Sequence, residues 1–247
     1  MDNEKILNTP RPLADPESPS SRTAMMLGEE AVKKLRSSSV IVIGLGGVGG
    51  HVLEALARAG VGRFILVDCD VFEVSNLNRQ LLCTADALGT DKVLAGEKRV
   101  KAINPSAEVK ALKIFLDGEK IPALLSENRI NCIVDAIDNV SAKVALAKHA
   151  EDLGIPIISS MGTGNKLDPS GFICADIYET SVCPLAKAMR KLLKEAGVKG
   201  LKVVYSKEPP VQAKDGDGNF LLGSVSFVPG AAGLVIAKEA ISELLKK

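Results

Sequence analysis

Three glycines, Gly44, Gly46 and Gly49, restrict the fold most, because they follow a continuous apolar run at residues 40–43 with the spacing G-x-G-x-x-G. Such a run is typical of a buried strand, and the apolar residues between 48 and 59 repeat at helical spacing. The first glycine permits a tight turn, the second lets a phosphate approach the backbone, and the third allows the helix to pack closely on the strand. The pattern therefore predicts a strand–turn–helix unit that binds an anion at the helix start.

An acidic residue follows at the position that such a unit needs. Asp68 ends a second apolar run at residues 64–67 and lies 19 residues after Gly49. A carboxylate there is placed to accept hydrogen bonds from ribose hydroxyls. Together, the glycines and Asp68 indicate an adenine nucleotide, but they do not decide between NAD and ATP.

The rest of the chain alternates in the same way. Apolar runs and helical patterns follow one another over the first 160 residues, which predicts an α/β fold with a Rossmann-like, doubly wound, mostly parallel sheet. We expect the C-terminal third to extend the same sheet. The polar, proline-containing residues 1–21 are interpreted as a flexible tail, and residues 22–247 as a single nucleotide-binding domain.

Charge, cysteine spacing and hydropathy limit which sites and which cellular location the chain can have. The net charge of +1 says nothing about partners, and the five cysteines form no C-x-x-C pair, so we expect neither a zinc site nor a disulfide framework. There is no apolar signal sequence at the start. Residues 220–237 carry no charge, but glycine, serine and proline interrupt them, so membrane insertion is not expected. A cytoplasmic protein is predicted.

Four polar residues favour ATP over NAD. If Ser75 caps a helical turn, Asn76, Arg79 and Gln80 lie on one face at i, i+3 and i+4. We call these three the clamp residues, because two amides and a guanidinium beside a nucleotide can grip a polyphosphate. Lys92 adds a positive charge at the start of the next predicted helix. The alternative is that Arg79 simply pairs with Glu73.

The fourth predicted strand ends in a carboxylate. Asp138 closes the segment Asp-Ala-Ile-Asp, and a carboxylate at the carboxyl end of a parallel strand points into the ligand crevice. With a triphosphate present, its natural role is to hold Mg²⁺. Alternatively, Asp138 caps the helix that follows.

These motifs, in this order and spacing, resemble the ubiquitin-activating-type adenylyltransferases (the ThiF/MoeB/HesA superfamily) over about residues 22–160. The resemblance implies that Asp68 binds ribose, that the clamp residues and Lys92 surround the phosphates, and that Asp138 coordinates Mg²⁺. It also implies a homodimer in which Arg22 acts across the subunit interface. A solvated tail residue is the alternative for Arg22.

Three further segments, residues 158–169, 178–187 and 203–208, are similar to the tRNA threonylcarbamoyladenosine dehydratases, which extends the resemblance to nearly the whole chain. That family implies ATP-dependent cyclisation of the modified adenosine at position 37 of tRNA through an acyl adenylate. A sulfur-relay protein is a further partner that the resemblance allows. The alternative is activation of the Gly-Gly end of a ubiquitin-like sulfur carrier, although such activators usually carry two C-x-x-C pairs. A nucleotide sensor without turnover, or an NAD-linked oxidoreductase, would be further alternatives.

Two features of residues 183–207 bear on this choice. The segment from residue 185 to residue 207 has seven basic residues and one acid, and we expect four of them to contact tRNA phosphates, namely Lys187, Arg190, Lys191 and Lys194. A solvated outer helix face is the alternative. Cys183 precedes the same helix, where a thiolate could form a thioester. Because a substrate that cyclises on itself needs no enzyme thiol, we expect Cys183 to be a buried or capping residue instead.

Overall fold

Within residues 18–246, which the computed structural model describes, seven strands form one sheet. The strands are β1 Ser39–Ile43, β2 Arg63–Asp68, β3 Glu108–Lys113, β4 Cys132–Asp135, β5 Ile157–Ser160, β6 Phe172–Asp176 and β7 Lys202–Ser206. The helices are α1 Ser21–Leu27, α2 Glu29–Ser37, α3 Gly49–Arg58, α4 Lys92–Ile103, α5 Ile121–Ser126, α6 Val140–Leu153, α7 Pro184–Glu195 and α8 Phe227–Leu245.

The strand order is β3-β2-β1-β4-β5-β7-β6, and all neighbouring strands are parallel except β6 and β7. The order reverses at β1, which is where doubly wound sheets bind ligands. In the register, Ile43 pairs with both Val67 and Asp135, so the carboxyl ends of β2, β1 and β4 meet at one level. The predicted fold class is confirmed, and β6 and β7 are the expected C-terminal extension of the sheet.

Helices cover both faces of the sheet, as the two core clusters on either side of β1 show. Val40 and Val42 belong to the core cluster that also contains residues of α3, α4 and α8, whereas Ile41 and Ile43 pack with α5 and α6. Successive side chains of a strand point to opposite faces, so a strand buried on both sides must be apolar throughout. This explains why β1 is a continuous apolar run.

The C-terminal helix α8 packs closely against α3, and glycines make this approach possible. A Cβ atom on Gly233 would lie 2.6 Å from the backbone oxygen of Val48 and 2.8 Å from the Cβ of His51. A Cβ atom on Gly230 would lie 2.9 Å from the His51 ring. The helix that follows the glycine turn is therefore held in place by the last helix of the chain.

The structure adds local detail to the predicted pattern. Gly28, which has a φ of +92°, separates helix α1 from helix α2. Asp91 precedes α4, and the Thr90 hydroxyl donates to the Ala87 carbonyl. The short helix α5 had not been expected. Of the predicted tail, residues 1–17 lie outside the described range, and helix α1 already begins at Ser21. Among the described helices, none combines the length and apolar character needed to cross a membrane.

We expect Gly233→Ala to destabilise the protein. Alanine favours a helix over glycine by about 1 kcal/mol, but overpacking a tight contact costs about 1–3 kcal/mol or more. Because the obstructing atom is a backbone oxygen, the second effect should win, and chemical denaturation should show a lower free energy of unfolding. Gly216→Ala is the control, since no atom lies within 4 Å of its added Cβ. Equal stability of the two variants would contradict the close approach of α3 and α8.

Candidate active site

The turn between β1 and α3 has the geometry that the glycine spacing predicts. Gly44 has a φ of +87°, and a Cβ atom there would lie 2.6 Å from the Ala136 carbonyl oxygen. A Cβ atom on Gly49 would lie 1.8 Å from the Gly44 oxygen. Larger residues at either position would therefore collide with backbone. The turn leaves amides and the amino end of α3 facing the carboxyl edge of the sheet, which favours a bound anion.

Asp68, at the end of β2, is bound to the same turn. Its Oδ2 accepts a hydrogen bond from the Leu45 amide at 2.6 Å, and its Oδ1 accepts one from the Asp70 amide at 2.9 Å. An ionised carboxylate offers about four acceptor positions, so it can still accept from a ribose hydroxyl. Asp68 thus has a structural role that the sequence did not predict, and ribose binding stays a prediction.

Lys92 is only 6% exposed and lies beside Asp70. Its Nζ donates to Asp70 Oδ2 at 2.9 Å, and this hydrogen bond lowers the pKa of the Asp70 carboxyl below its ordinary value. Both residues line the cleft described below. The lysine is therefore held at the base of the cleft by a carboxylate partner.

The clamp residues lie next to the glycine turn. Val74–Asn76 form a single 3₁₀ turn, and Asn76 Oδ1 accepts from the Glu73 amide at 3.2 Å. The capping residue is thus Glu73 rather than Ser75, because the Glu73 and Asn76 side chains cap each other's backbone. Glu73 does not pair with Arg79, whose Nη1 donates to the Ser75 carbonyl at 2.7 Å.

Gln80 carries an unused acceptor. The residue is buried, and its Oε1 accepts no hydrogen bond from any of the residues described. Its Nε2 lies 3.8 Å from the position of a Cβ on Gly46. A buried polar atom without a partner is costly, so its persistence beside the glycine turn is typical of a ligand site.

Asp138 follows β4 and is exposed at the cleft. It does not cap α6, because Asn139 does so: Asn139 Oδ1 accepts from the Ala142 amide at 3.0 Å. The capping alternative for Asp138 is therefore wrong. An exposed carboxylate beside a phosphate site has the oxygen ligands that Mg²⁺ prefers.

A second acidic group lies at the end of β2. Ligand atoms of Asp68, Cys69 and Asp70 lie within 4.8 Å of one another. Both carboxylates already bind within the chain, to the Leu45 amide and to Lys92, and a thiol is a poor ligand for Mg²⁺. Asp138 is the better candidate for the metal.

These elements enclose one cleft of about 1020 Å³ at the carboxyl edge of the sheet. This is at the upper limit of the roughly 300–1,000 Å³ typical of small-molecule sites, so it leaves room beyond a nucleotide. All predicted nucleotide residues except Gly49 line it: Gly44, Gly46, Asp68, Asn76, Arg79, Gln80, Lys92 and Asp138. Gly49 instead allows α3 to pack under the turn. Arg22 is exposed on α1 and is not among the described residues that line this cleft.

A buried ion pair below the cleft was not predicted. Lys143 and Asp135 are both fully buried, and Lys143 Nζ lies 2.9 Å from Asp135 Oδ2. The same ammonium donates to Ser159 Oγ at 3.0 Å and to the Ser160 carbonyl at 2.8 Å. The pair joins the ends of β4 and β5, from which Asp138 and residues 161–164 continue. A lysine among apolar positions of α6, eight residues after a strand-end aspartate, was the signal available in the sequence.

The predicted tRNA-contacting residues separate into two kinds. Lys187, Lys191 and Lys194 are exposed on α7. Arg190 is half-buried, and its Nη1 donates to the Thr180 carbonyl at 2.9 Å and also to the Thr180 hydroxyl. Arg190 therefore holds the loop before α7, and the three lysines form the exposed basic face.

Cys183 is buried and directly precedes α7. Val182 before it has a φ of +64°, an unusual conformation for a β-branched residue. The other cysteines are also free thiols, and burial raises the pKa of Cys132 to about 12 and that of Cys174 to about 11. These two stay protonated at neutral pH and are poor nucleophiles.

Known proteins resemble this chain along nearly its whole length. The tRNA threonylcarbamoyladenosine dehydratase of Bacillus subtilis is 38% identical over 92% of this chain and 94% of its own. The Escherichia coli tRNA N6-threonylcarbamoyladenosine dehydratase, TcdA, solved in complexes with AMP and ATP, is 30% identical and covers 91% of this chain and 92% of its own, with TM-scores of 0.84 and 0.83.

A sulfur carrier protein adenylyltransferase of Thermus thermophilus is 39% identical, but over only 53% of this chain and 48% of its own. Residues 20–247 match the ThiF family as a whole. The glycine turn, the clamp residues and Asp138 lie in one cleft. The chain therefore belongs to the ThiF family.

Proposed function

We propose that this protein is an ATP-dependent enzyme that dehydrates threonylcarbamoyladenosine at position 37 of tRNA. The observation that carries the proposal is similarity to dehydratases along almost the full length of both chains, together with a cleft whose residues suit a triphosphate. The cleft's size also suits the proposal, because a carboxylate substrate must lie beside the nucleotide.

The residues of the cleft have distinct roles in this proposal. The amides of the glycine turn, Arg79 and Lys92 stabilise the negative charge of the phosphates, and Asp68 orients the ribose. Asp138 holds Mg²⁺, which neutralises phosphate charge when bound. Because the reactants come from ATP and the tRNA, the protein acts mainly by aligning them.

The proposed reaction has two steps, and neither needs a nucleophile from the enzyme. The threonyl carboxylate attacks the α-phosphate of ATP, and pyrophosphate leaves. The carbamoyl group then attacks the acyl carbon, a proton is lost, AMP leaves and a ring closes. The nucleoside has lost one water, and its oxygen is now in AMP.

Activation of a sulfur carrier protein is the second candidate function. Its first step is the same adenylation of a carboxylate, and the Thermus thermophilus relative is 39% identical over 53% of this chain. The Bacillus subtilis dehydratase matches 92% of the chain, which favours a tRNA substrate. Product analysis separates the two functions.

Asp138→Asn should abolish activity in a reaction of purified protein, ATP, Mg²⁺ and threonylcarbamoylated tRNA. The wild type should yield AMP and, by nucleoside mass spectrometry, a nucleoside lighter by one water. The rate of AMP formation by the variant should fall about a hundredfold or more, because the metal is no longer held. The midpoint temperature of its thermal unfolding should stay unchanged.

Cys183→Ser serves as the matched variant in the same assay. We expect it to retain activity, because a cyclising substrate needs no thioester. An inactive but stably folded Cys183→Ser protein would support a thioester mechanism instead. An unaltered nucleoside with the wild-type protein, combined with pyrophosphate exchange that depends on a protein ending in Gly-Gly, would establish the second candidate function.

The exposed lysines of α7 should bind the tRNA backbone. Reversing two of them in Lys187→Glu/Lys194→Glu should weaken tRNA binding about tenfold at low salt and reduce its salt dependence, because phosphate contacts release counterions. Filter binding measures both quantities. Lys33→Glu/Lys98→Glu makes the same charge change at exposed residues outside α7. Equal losses in the two double variants would show that only net charge matters.

A homodimer in which Arg22 completes the partner's site is the remaining expectation for the site. Arg22→Ala and Asp138→Asn should each be inactive alone. An equal mixture should regain about a quarter of the wild-type activity, because about half of the dimers are mixed and each mixed dimer contains one intact site of two. Sedimentation should give the mass of two chains. A monomer, or a mixture that stays inactive, would remove the role of Arg22.

We propose a cytoplasmic location, where tRNA is modified and the free thiols stay reduced. A sulfur-relay protein also remains a proposed partner.

A further inference from the structure

One end of the cleft is built by two loops that the nucleotide chemistry does not use. Thr163 and Gly164, which follow β5, face Leu222, Gly223 and Ser224 from the loop between β7 and α8. In the strand order, β5 lies beyond β4, whereas Asp68 ends β2 on the other side of β1. The two loops therefore lie at the end of the cleft away from the ribose residue.

Asn165 joins these two loops through four hydrogen bonds. Its backbone N donates to the Gly223 carbonyl at 2.9 Å, and its carbonyl accepts from the Val211 amide at 2.7 Å. Its side-chain Nδ2 donates to the Leu221 carbonyl at 2.8 Å, and its Oδ1 accepts from the Gly223 amide at 2.5 Å. The residue has a φ of +55°, which asparagine tolerates better than most residues.

Further hydrogen bonds fix both ends of the loop between β7 and α8. At its start, the buried Lys166 donates to the Glu208 carbonyl, and the Glu208 carboxylate accepts from the Leu167 amide at 2.9 Å. At its end, Asn78 Nδ2 donates to the Ser224 carbonyl at 2.9 Å. Since Asn78 precedes Arg79, this last contact connects the loop to the clamp residues.

Leu222 is presented at the mouth of the cleft. The residue is 87% exposed, and its side chain lies over Gly164, where an added Cβ would be 2.5 Å from Leu222 Cδ1. An exposed leucine on a loop with this many polar restraints is not held there by burial of its own surface. It offers an apolar contact to whatever enters the cleft from that end.

We propose that Asn165 is a positioning residue for the acyl substrate, and that it acts by fixing the loop that carries Leu222. The inference rests on the proposed function, in which the ribose lies near Asp68 and the phosphates near the glycine turn. The modified adenosine then enters from the remaining end and contacts Leu222. Asn165 touches neither substrate.

The test is steady-state kinetics of the full-length protein with threonylcarbamoylated tRNA. Asn165→Gly allows the left-handed backbone and removes the side-chain hydrogen bonds, and Leu222→Ser removes the apolar contact. Each should raise the KM for tRNA about tenfold and leave the KM for ATP unchanged. If both act through one loop, the double variant should also show about a tenfold rise rather than about a hundredfold.

Two controls separate this role from a general loss of structure. Asn219→Gly changes an asparagine in the same loop whose side chain, among residues 18–246, bonds only to Asp215. Leu153→Ser changes an exposed leucine at the end of α6. Both should have wild-type KM values. Unchanged tRNA kinetics in Asn165→Gly, equal rises in both KM values, or additive effects in the double variant would each overturn the inference while leaving an active wild type. An inactive wild type would refute the proposed function and, with it, this inference.

Discussion

The contact between the glycine turn and the ends of its neighbouring strands is the constraint on which the site depends. Gly44 passes so close to Ala136 that no side chain fits between them, and the Leu45 amide donates to Asp68. The ends of β1, β2 and β4 are thereby held within hydrogen-bonding distance. Because the Asp68 carboxylate neutralises part of the turn's positive field, the turn and the acid form one unit rather than two motifs.

The buried Lys143–Asp135 ion pair holds the ends of β4 and β5 together in the same way. A buried ion pair adds little net stability, because both charges lose their hydration, but removing one partner costs about 3–5 kcal/mol. Here the ammonium also donates to Ser159 and to the Ser160 carbonyl, so its geometry is specified. The pair sets where the segment with Asp138 and the loop with Asn165 leave the sheet.

The residues that suit ATP better than NAD lie in irregular backbone rather than in the sheet. The clamp residues follow a single 3₁₀ turn, and Gln80 remains buried with an unused acceptor. A βαβ unit alone suits either nucleotide. Beside the turn lie a buried lysine paired with Asp70 and an arginine held by Ser75. In the proposed function, these two side chains provide positive charge for the triphosphate.

Sequence alone determined the parallel sheet, the glycine turn and eight of the residues that line the cleft. These follow from local patterns: apolar runs buried on both faces, a glycine spacing with a steric cause, and polar residues at strand ends that must meet at one edge. Only the tertiary structure decided the capping by Asn139, the inward turn of Arg190, the Lys143–Asp135 pair and the loop held by Asn165. Each of these depends on which distant segments come into contact, for example residues 165 and 223. Such contacts cannot be predicted from local sequence periodicity.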